Sequence, residues 1–462
     1  MNLLLIVLNC LGVAALALFR LRRNRFHLLD PSWAFLGGYA INYCVRPSLF
    51  AINPEVGGIY QDYIYSGTMI RHGANGALLF AMVGLLGFAA GDMLFPHAAR
   101  RLSLRLPIVP LREFAGHRLY GFIALVFFLL GGVGLYGFVR TAGWSGPVLE
   151  LLAGGQRDAF MQVILGHGYF TLAMQLSIVG WALICAKWVG MPRRRTGMRG
   201  VLHAFLKSIW FAGTLLIWVA FGERLSILAV VFIPLAFRFT ITHFDSAAAR
   251  WQRRRAAVWT LAGVLTFAAI AGPIGLMMKG KEVDATGVVA MAISAWDSFE
   301  FTVAAQHSVG TANLAWGATY LGDFVYTWLP RALFPWKPER YGAVVVQDRV
   351  APDLRDNVGA TFPSGLLVEA YANFWYFGVF LVPMGLAIVF RAIYHRLLAQ
   401  DWFWIVQMAL LFPMLASFRS VGWAGAALTA NLVVVGSVVL ACSWVSGLHR
   451  ALRNLPAFPA PA

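Results

Sequence analysis

Runs of close to twenty apolar residues recur along this chain, and the charged clusters lie between these runs. A segment of that length and character crosses the hydrocarbon of a bilayer as an α-helix, because only a helix pairs all of its own backbone polar groups where no water is available. Composition agrees. Only 12% of the residues are charged and 60% are hydrophobic, against about a quarter charged in a soluble domain, which excludes the water-soluble classes. The pattern predicts an all-α polytopic membrane protein of about 11 transmembrane helices, over 2–19, 31–49, 73–95, 119–138, 161–186, 202–219, 222–238, 257–277, 371–390, 402–418 and 421–445. The expected division is an eight-helix membrane region (1–278), a long loop (279–370), a three-helix region (371–445) and a tail (446–462).

Charge orients these spans. The first has no basic region before it and is followed by Arg20, Arg22, Arg23 and Arg25, the reverse of a secretion signal, so its N-terminus is expected outside and the C-terminus of the chain in the cytoplasm. With that start, the cytoplasmic segments hold 24 of the 37 Lys and Arg against five acids, Asp30, Asp92, Glu113, Asp245 and Asp401; the outer side keeps 13 basic and 15 acidic residues. The formal net charge of +17 is thus a topology device. Arg193–Arg195 and Arg253–Arg255 read as anchors facing anionic lipid, and no nucleic-acid partner is expected. Spans 202–219 and 222–238 are read as two, because one long helix would put Arg253–Arg255 outside. Pro234, Pro273, Pro383 and Pro413 interrupt apolar helices, which neighbouring groups in a bundle can accommodate. Cys10, Cys44, Cys185 and Cys442 lie in apolar segments without paired spacing, which supports neither a disulfide scaffold nor a zinc site.

The loop at 279–370 is far longer than a simple connection, and loops of that length inside compact proteins usually have a task. Val288–Trp296 and Trp316–Leu329 are apolar and aromatic but short, and read as helices lying on the membrane or re-entering it. Asp297, Glu300, His307 and Asp323 lie within or beside them. Leu329–Pro338 carries three prolines with Arg331 and Lys337 among aromatics; Ala343–Val346 reads as a brief strand or buried turn, and the charged stretch after it as exposed loop. Arg46, Arg140, Arg224 and Arg419 fall at the outer ends of spans, on the same side as Arg331, Lys337 and Arg340. Charge at such positions faces water, a partner or a cavity in preference to hydrocarbon. The fork of an arginine donates paired hydrogen bonds to phosphate, so a set of them at bilayer depth suits the pyrophosphate of a lipid-linked substrate.

Two blocks of the loop carry a resemblance. Gly322-Asp323-Phe324 through Leu329-Pro330-Arg331-Ala332-Leu333-Phe334-Pro335-Trp336-Lys337-Pro338 resembles the proline-rich outer-loop motif of the bacterial oligosaccharide repeat unit polymerases, the O-antigen and exopolysaccharide polymerase family. Thr361-Phe362-Pro363-Ser364-Gly365, with Glu369-Ala370-Tyr371-Ala372-Asn373-Phe374 and Gly378, is similar to that family's entry into the following span; Pro31, Gly37-Gly38-Tyr39, Tyr43 and Arg46-Pro47 resemble its second-span pattern. The resemblance covers most of the chain in layout, and these blocks in motif. It implies a glycosyltransferase of the bacterial inner membrane, acting at the periplasmic face on undecaprenyl-pyrophosphate-linked oligosaccharide, with a chain-length regulator copolymerase as a further partner. O-antigen ligases share the donor type and the layout and are the nearest alternative. A lipid-linked oligosaccharide flippase is the alternative of another class, disfavoured because the mid-span positions carry almost no charge and no internal repeat is visible.

In such a transfer the leaving pyrophosphate needs a positive clamp more than a general acid. Arg224, Arg331 and Arg419 are the first candidates, followed by Arg46, Arg140 and Lys337. The acceptor hydroxyl needs a base within hydrogen-bond reach: Glu369 leads because it sits where loop meets membrane in the second block, then His307 and Asp323. Trp328, Trp336, Tyr371 and Trp375 are candidates for stacking on sugar faces, with an interfacial aromatic belt as the competing explanation. No acidic cluster has divalent-metal spacing and no cofactor is expected.

Overall fold

The computed structural model describes residues 2–23, 29–52, 67–105, 118–141, 168–190, 198–221, 224–244, 298–326, 333–350 apart from 339, 365–399, 401–418 and 421–453, together with 27, 143 and 329. Among the described residues there is no β-strand. The helices are α1 Leu3–Arg23, α2 Pro31–Ala40, α3 Arg46–Ile52, α4 Gly67–Leu94, α5 Pro96–Arg105, α6 Arg118–Thr141, α7 Gly168–Gly190, α8 Met198–Phe221 and α9 Arg224–Phe244. Then come α10 Ser298–Ser308, α11 Ala318–Tyr326, α12 Ala343–Val350, α13 Leu366–Leu398, α14 Trp402–Ala416 and α15 Val421–Arg453. Ten of the eleven sequence-read spans fall on these helices, and the eighth, 257–277, lies outside the described residues. Two separate helices, α8 and α9, cover the pair at 202–238.

Four described helices are long and apolar enough to cross a membrane, Leu3–Arg23, His72–Leu94, Leu119–Thr141 and Leu366–Leu398. Their outward faces fit that solvent. Leu4, Leu11 and Leu18 on α1, and Phe122, Leu129 and Val133 on α6, are exposed. Water would penalise apolar surface repeated along a whole helix, and lipid does not. The chain is a multi-pass membrane protein.

Two apolar cores share helix α13. The first gathers α1, α2, α4, α10 and α13 as far as Phe390 around Tyr39, Tyr43, Phe80, Phe88 and Phe299. The second gathers α6, α7, α8, α9, α14 and α15 around Trp181, Trp218 and Phe237, and takes in Ile393 and Leu397 from the far end of α13. Between lipid-bathed helices there is little hydrophobic drive, so close backbone approach and packing hold them together. Glycines provide that approach. A β-carbon on Gly87 would run into the Phe380 carbonyl, and one on Gly91 into that of Met384, so α4 and α13 touch backbone to backbone. Gly134 of α6 meets the Phe170 carbonyl of α7 in the same way, and Gly137 makes room for the Phe170 ring.

The sequence pattern for α2 and α3 is a single span. The structure inserts a π-turn, Ile41–Val45, between them, and the extra residue in that turn swings Asn42, Tyr43 and Arg46 toward α10. Asn42 receives the backbone N–H of Ser298 at 3.0 Å, Tyr43 meets the Thr302 hydroxyl at 2.9 Å, and Arg46 pairs with Glu300. In place of the brief strand or turn expected at Ala343–Val346 there is α12, and Val346 and Val350, four residues apart on one face, enter the first core. The same helix takes up part of the expected exposed loop, because Gln347 is buried beside them while Arg349 faces out.

At the other end of α13 the bundle is fastened by charge. Arg20 donates to Asp30 at 2.6 Å and forms an ion pair with Asp92 at 2.6 Å, and Arg391 reaches the Asp92 carboxylate at 3.7 Å and its carbonyl. All four residues are buried. This quartet ties α1, α4 and α13 together, while Asp30 also caps α2 by accepting from the Ser32 N–H at 3.0 Å. Asp30 and Asp92 are two of the few acids among the basic segments of that side.

Candidate functional site

Helix α13 is broken. Phe374 and Trp375 leave helical geometry, Trp375 at φ 58°, although Pro383 further along stays within the helix. Gly378 permits the break, since a β-carbon there would collide with the Ala370 carbonyl. Carbonyls freed by a break must find donors. Ala315 donates its N–H to Ala372 O at 2.9 Å and Trp316 to Asn373 O at 3.1 Å. Gly317 donates to the Asn373 side chain at 2.9 Å. This strap from the long loop, with Trp316 at φ 47° and Gly317 at φ 85°, delivers α11 to the N-terminal half of α13.

The result is a polar centre around Glu369. Glu369 lies in the first turn of α13 and is fully buried. Its Oε2 accepts the N–H groups of Val421 at 2.7 Å and Gly422 at 3.3 Å, the first two residues of α15. Its Oε1 accepts the Thr319 hydroxyl at 3.3 Å. Thr319 in turn accepts from Asn373 Nδ2 at 2.6 Å, and the same amide nitrogen donates to the Glu369 carbonyl at 2.8 Å. An ordered line of donors therefore runs from Asn373 through Thr319 to the carboxylate. Asp323, also buried, lies alongside: a β-carbon on Gly422 would stand 2.5 Å from Asp323 Oδ2 and 3.1 Å from Glu369 Oε1. The two carboxylate oxygens are no farther apart than the sum of those distances.

Three helix N-termini meet here. Leu366 of α13 donates to Phe418 O at 3.0 Å in the turn before α15, and Gly365, at φ 86°, packs against Ser298, which opens α10. Helix N-termini carry partial positive charge and favour an anion. Glu369 answers two of them, that of its own helix and that of α15.

Tyr320, next to Thr319, places its ring 6.2 Å from that of Phe374 at the break. Its hydroxyl oxygen is buried with no hydrogen-bond partner among the described residues. Burial pushes the phenol well above its ordinary value and the Glu369 carboxylate adds to the effect, so it stays protonated.

Near this centre lies the Arg46–Glu300 pair. Burial raises the Glu300 carboxyl and the Arg46 guanidinium pulls it back. Arg46, read from sequence as a phosphate ligand, is here the counter-ion of Glu300 and lies 5.8 Å from the Phe50 ring centre.

Several of the other candidates, Arg331, Arg419 and Trp328, lie outside the described residues; Arg224 opens α9 and its side chain is also outside them. Arg140 is exposed in the last turn of α6, and His307 in the last turn of α10. Lys337 donates to the Leu329 carbonyl at 3.1 Å and sits 4.7 Å above the Tyr341 ring. Trp336 is exposed, edge-on to Phe334 and Tyr326. Tyr371 is a core residue with one face stacked on Trp375 at 4.7 Å and the edge of Phe80 against it. Glu369 and Asp323 are thus brought together, with Tyr371 and Trp375 on the same helix. Thr319 and Asn373 are the residues that sequence reasoning did not single out as ligands, and Tyr320 was visible only as one of the outer aromatics suited to stacking on sugar. Asn373 stood inside the second block, four residues from Glu369 and hence on the same helix face.

No family model, curated protein or solved structure matches the chain.

Proposed function

We propose that this protein is a membrane glycosyltransferase that polymerises undecaprenyl-pyrophosphate-linked oligosaccharide repeat units, with its eleven spans placing the Glu369 centre on the periplasmic face of a bacterial inner membrane. One observation carries the reading. The two motif blocks on which the family resemblance rests are separate in sequence, yet Asp323 of the first and Glu369 of the second converge on Gly422, and Thr319, one turn before Asp323, donates to Glu369 and accepts from Asn373. Chance likeness in two loop segments gives no reason for them to interlock.

In the proposed step, a hydroxyl of the acceptor repeat unit attacks the anomeric carbon of the donor glycan. A new carbon–oxygen bond forms, the bond to pyrophosphate breaks, and the bonding pair leaves with the prenyl pyrophosphate. The acceptor's proton passes to a carboxylate, Glu369 or Asp323 in this reading. Convergent helix N-termini and the arginines Arg224, Arg331 and Arg419 would favour the charge that gathers on the leaving group.

The test is the size distribution of glycan, on the lipid carrier and at the cell surface, in the native host lacking this gene. Polymerase function requires collapse to single repeat units in both fractions. Long chains that accumulate on the carrier would make the protein a ligase, and an unchanged distribution would remove both assignments.

A further inference from the structure

A buried hydroxyl without a partner is an anomaly in a folded chain: leaving it unpaired costs about 1–3 kcal/mol, and phenylalanine would fill the same space without that cost. Tyr320 is such a residue, and it lies at the candidate centre. Its neighbour Thr319 bonds to Glu369 and Asn373, its ring rests beside Phe374 at the break of α13, and it senses the Glu369 charge. Tyr320 as a whole is only partly buried, while its hydroxyl oxygen is buried. The phenol keeps its proton, which makes it a donor and not a base.

We propose that Tyr320 is a substrate-contacting residue whose hydroxyl donates a hydrogen bond to an oxygen of the lipid-linked glycan bound beside Glu369. The inference rests on the polymerase reading and deepens it by assigning a donor to the site. It explains why the oxygen has no partner among the described residues: the substrate provides one. Because the hydroxyl makes no bond among those residues, its removal separates function from folding, which removal of Glu369 or Thr319 does not.

The experiment compares wild-type protein and Tyr320→Phe, each reconstituted in proteoliposomes with the single-repeat lipid-linked units that accumulate in the deletion host. The expected result is a melting temperature for Y320F equal to or above that of wild type, with polymer formation at least ten-fold lower at limiting donor. Equal polymer from the two proteins overturns the assignment of Tyr320 alone. So does a Y320F protein that melts lower or fails to fold, since its hydroxyl would then have a structural partner. If the wild-type protein itself makes no polymer from these units, the polymerase reading falls, and this inference with it.

Discussion

Replacing Glu369 tests both the architecture of the centre and its chemistry. The carboxylate holds two N–H groups at the start of α15 and one hydroxyl, all within the protein interior. A hydrogen bond to a charged group is worth about 1.5–3 kcal/mol. A carboxylate at a helix N-terminus adds up to about 2 kcal/mol when partly buried. Glu369→Ala removes all of this and leaves both α15 N–H groups unpaired, so the loss comes to roughly 3–5 kcal/mol, comparable to breaking a buried ion pair. That is a large part of the stability of an ordinary domain. Glu369→Gln keeps an acceptor oxygen in place but turns charged bonds into neutral ones, at about 1–2 kcal/mol. The melting temperature of the detergent-solubilised protein should therefore fall in the order wild type, Gln, Ala, with Ala poorly recovered. An Ala variant that melts with wild type would refute the capping geometry. The folded Gln variant then isolates the chemistry. If Glu369 is the base, it extends no chains in the reconstituted assay; near-normal extension would leave Glu369 as a cap and pass the base role to Asp323.

Arg46→Met leaves the Glu300 carboxylate buried without its cation, which costs about 3–5 kcal/mol near neutral pH. Because the Glu300 carboxyl is held above its ordinary value in the folded chain, the fold binds that proton more tightly than the unfolded chain does, and stability from this group falls as pH rises past the carboxylate range. Loss of Arg46 enlarges that shift, so the variant's deficit should be larger at pH 8 than at pH 5, measured by thermal melts, and Arg46→Met with Glu300→Gln should recover most of it; a pH-independent deficit would refute the pairing. Gly87→Leu forces a side chain into the Phe380 carbonyl; overpacking of this kind costs about 1–3 kcal/mol or more, and monodisperse protein at wild-type yield would contradict the α4–α13 contact. Arg20→Met strands Asp30 and Asp92 and should destabilise by a similar 3–5 kcal/mol, read as loss of extractable protein, whereas Arg22→Met, on an exposed residue of the same helix, should have little effect.

What could be read from the sequence divides along physical lines. Helix positions were legible because hydrocarbon admits one spanning backbone, so apolar length alone locates the elements. The break of α13 was not, because the prolines drew attention and the break falls at Phe374–Trp375, where no residue type announces it. Gly378 was visible but its partner, the Ala370 carbonyl, was not. The apolar run at 343–346 fits a strand or a helix equally well by periodicity, and only the neighbouring core settles which face it needs. Arg20 counted as one more basic residue after a span, yet it is buried between two aspartates that are distant or unremarkable in sequence.

The Glu369 centre shows why carboxylates were easier to find than their roles. An acidic residue at the mouth of a span is conspicuous by composition, and both Glu369 and Asp323 were visible on that ground. Whether such a group is a base or a cap depends on what donates to it, and those donors are backbone N–H groups of α15 and the hydroxyl of Thr319, which leave no compositional trace. The donors also bear on the chemistry. Those groups engage both oxygens of Glu369, and Asp323 lies buried on the adjoining face of Gly422. Glu369 holds the start of α15 and the loop helix α11 in register with the broken α13, and the proposed transfer has two neighbouring carboxylates, Glu369 and Asp323, to take the acceptor's proton. If Asp323 takes the proton, Asp323→Asn should stop chain extension and Glu369→Gln should slow it less. The opposite ranking would return the base role to Glu369.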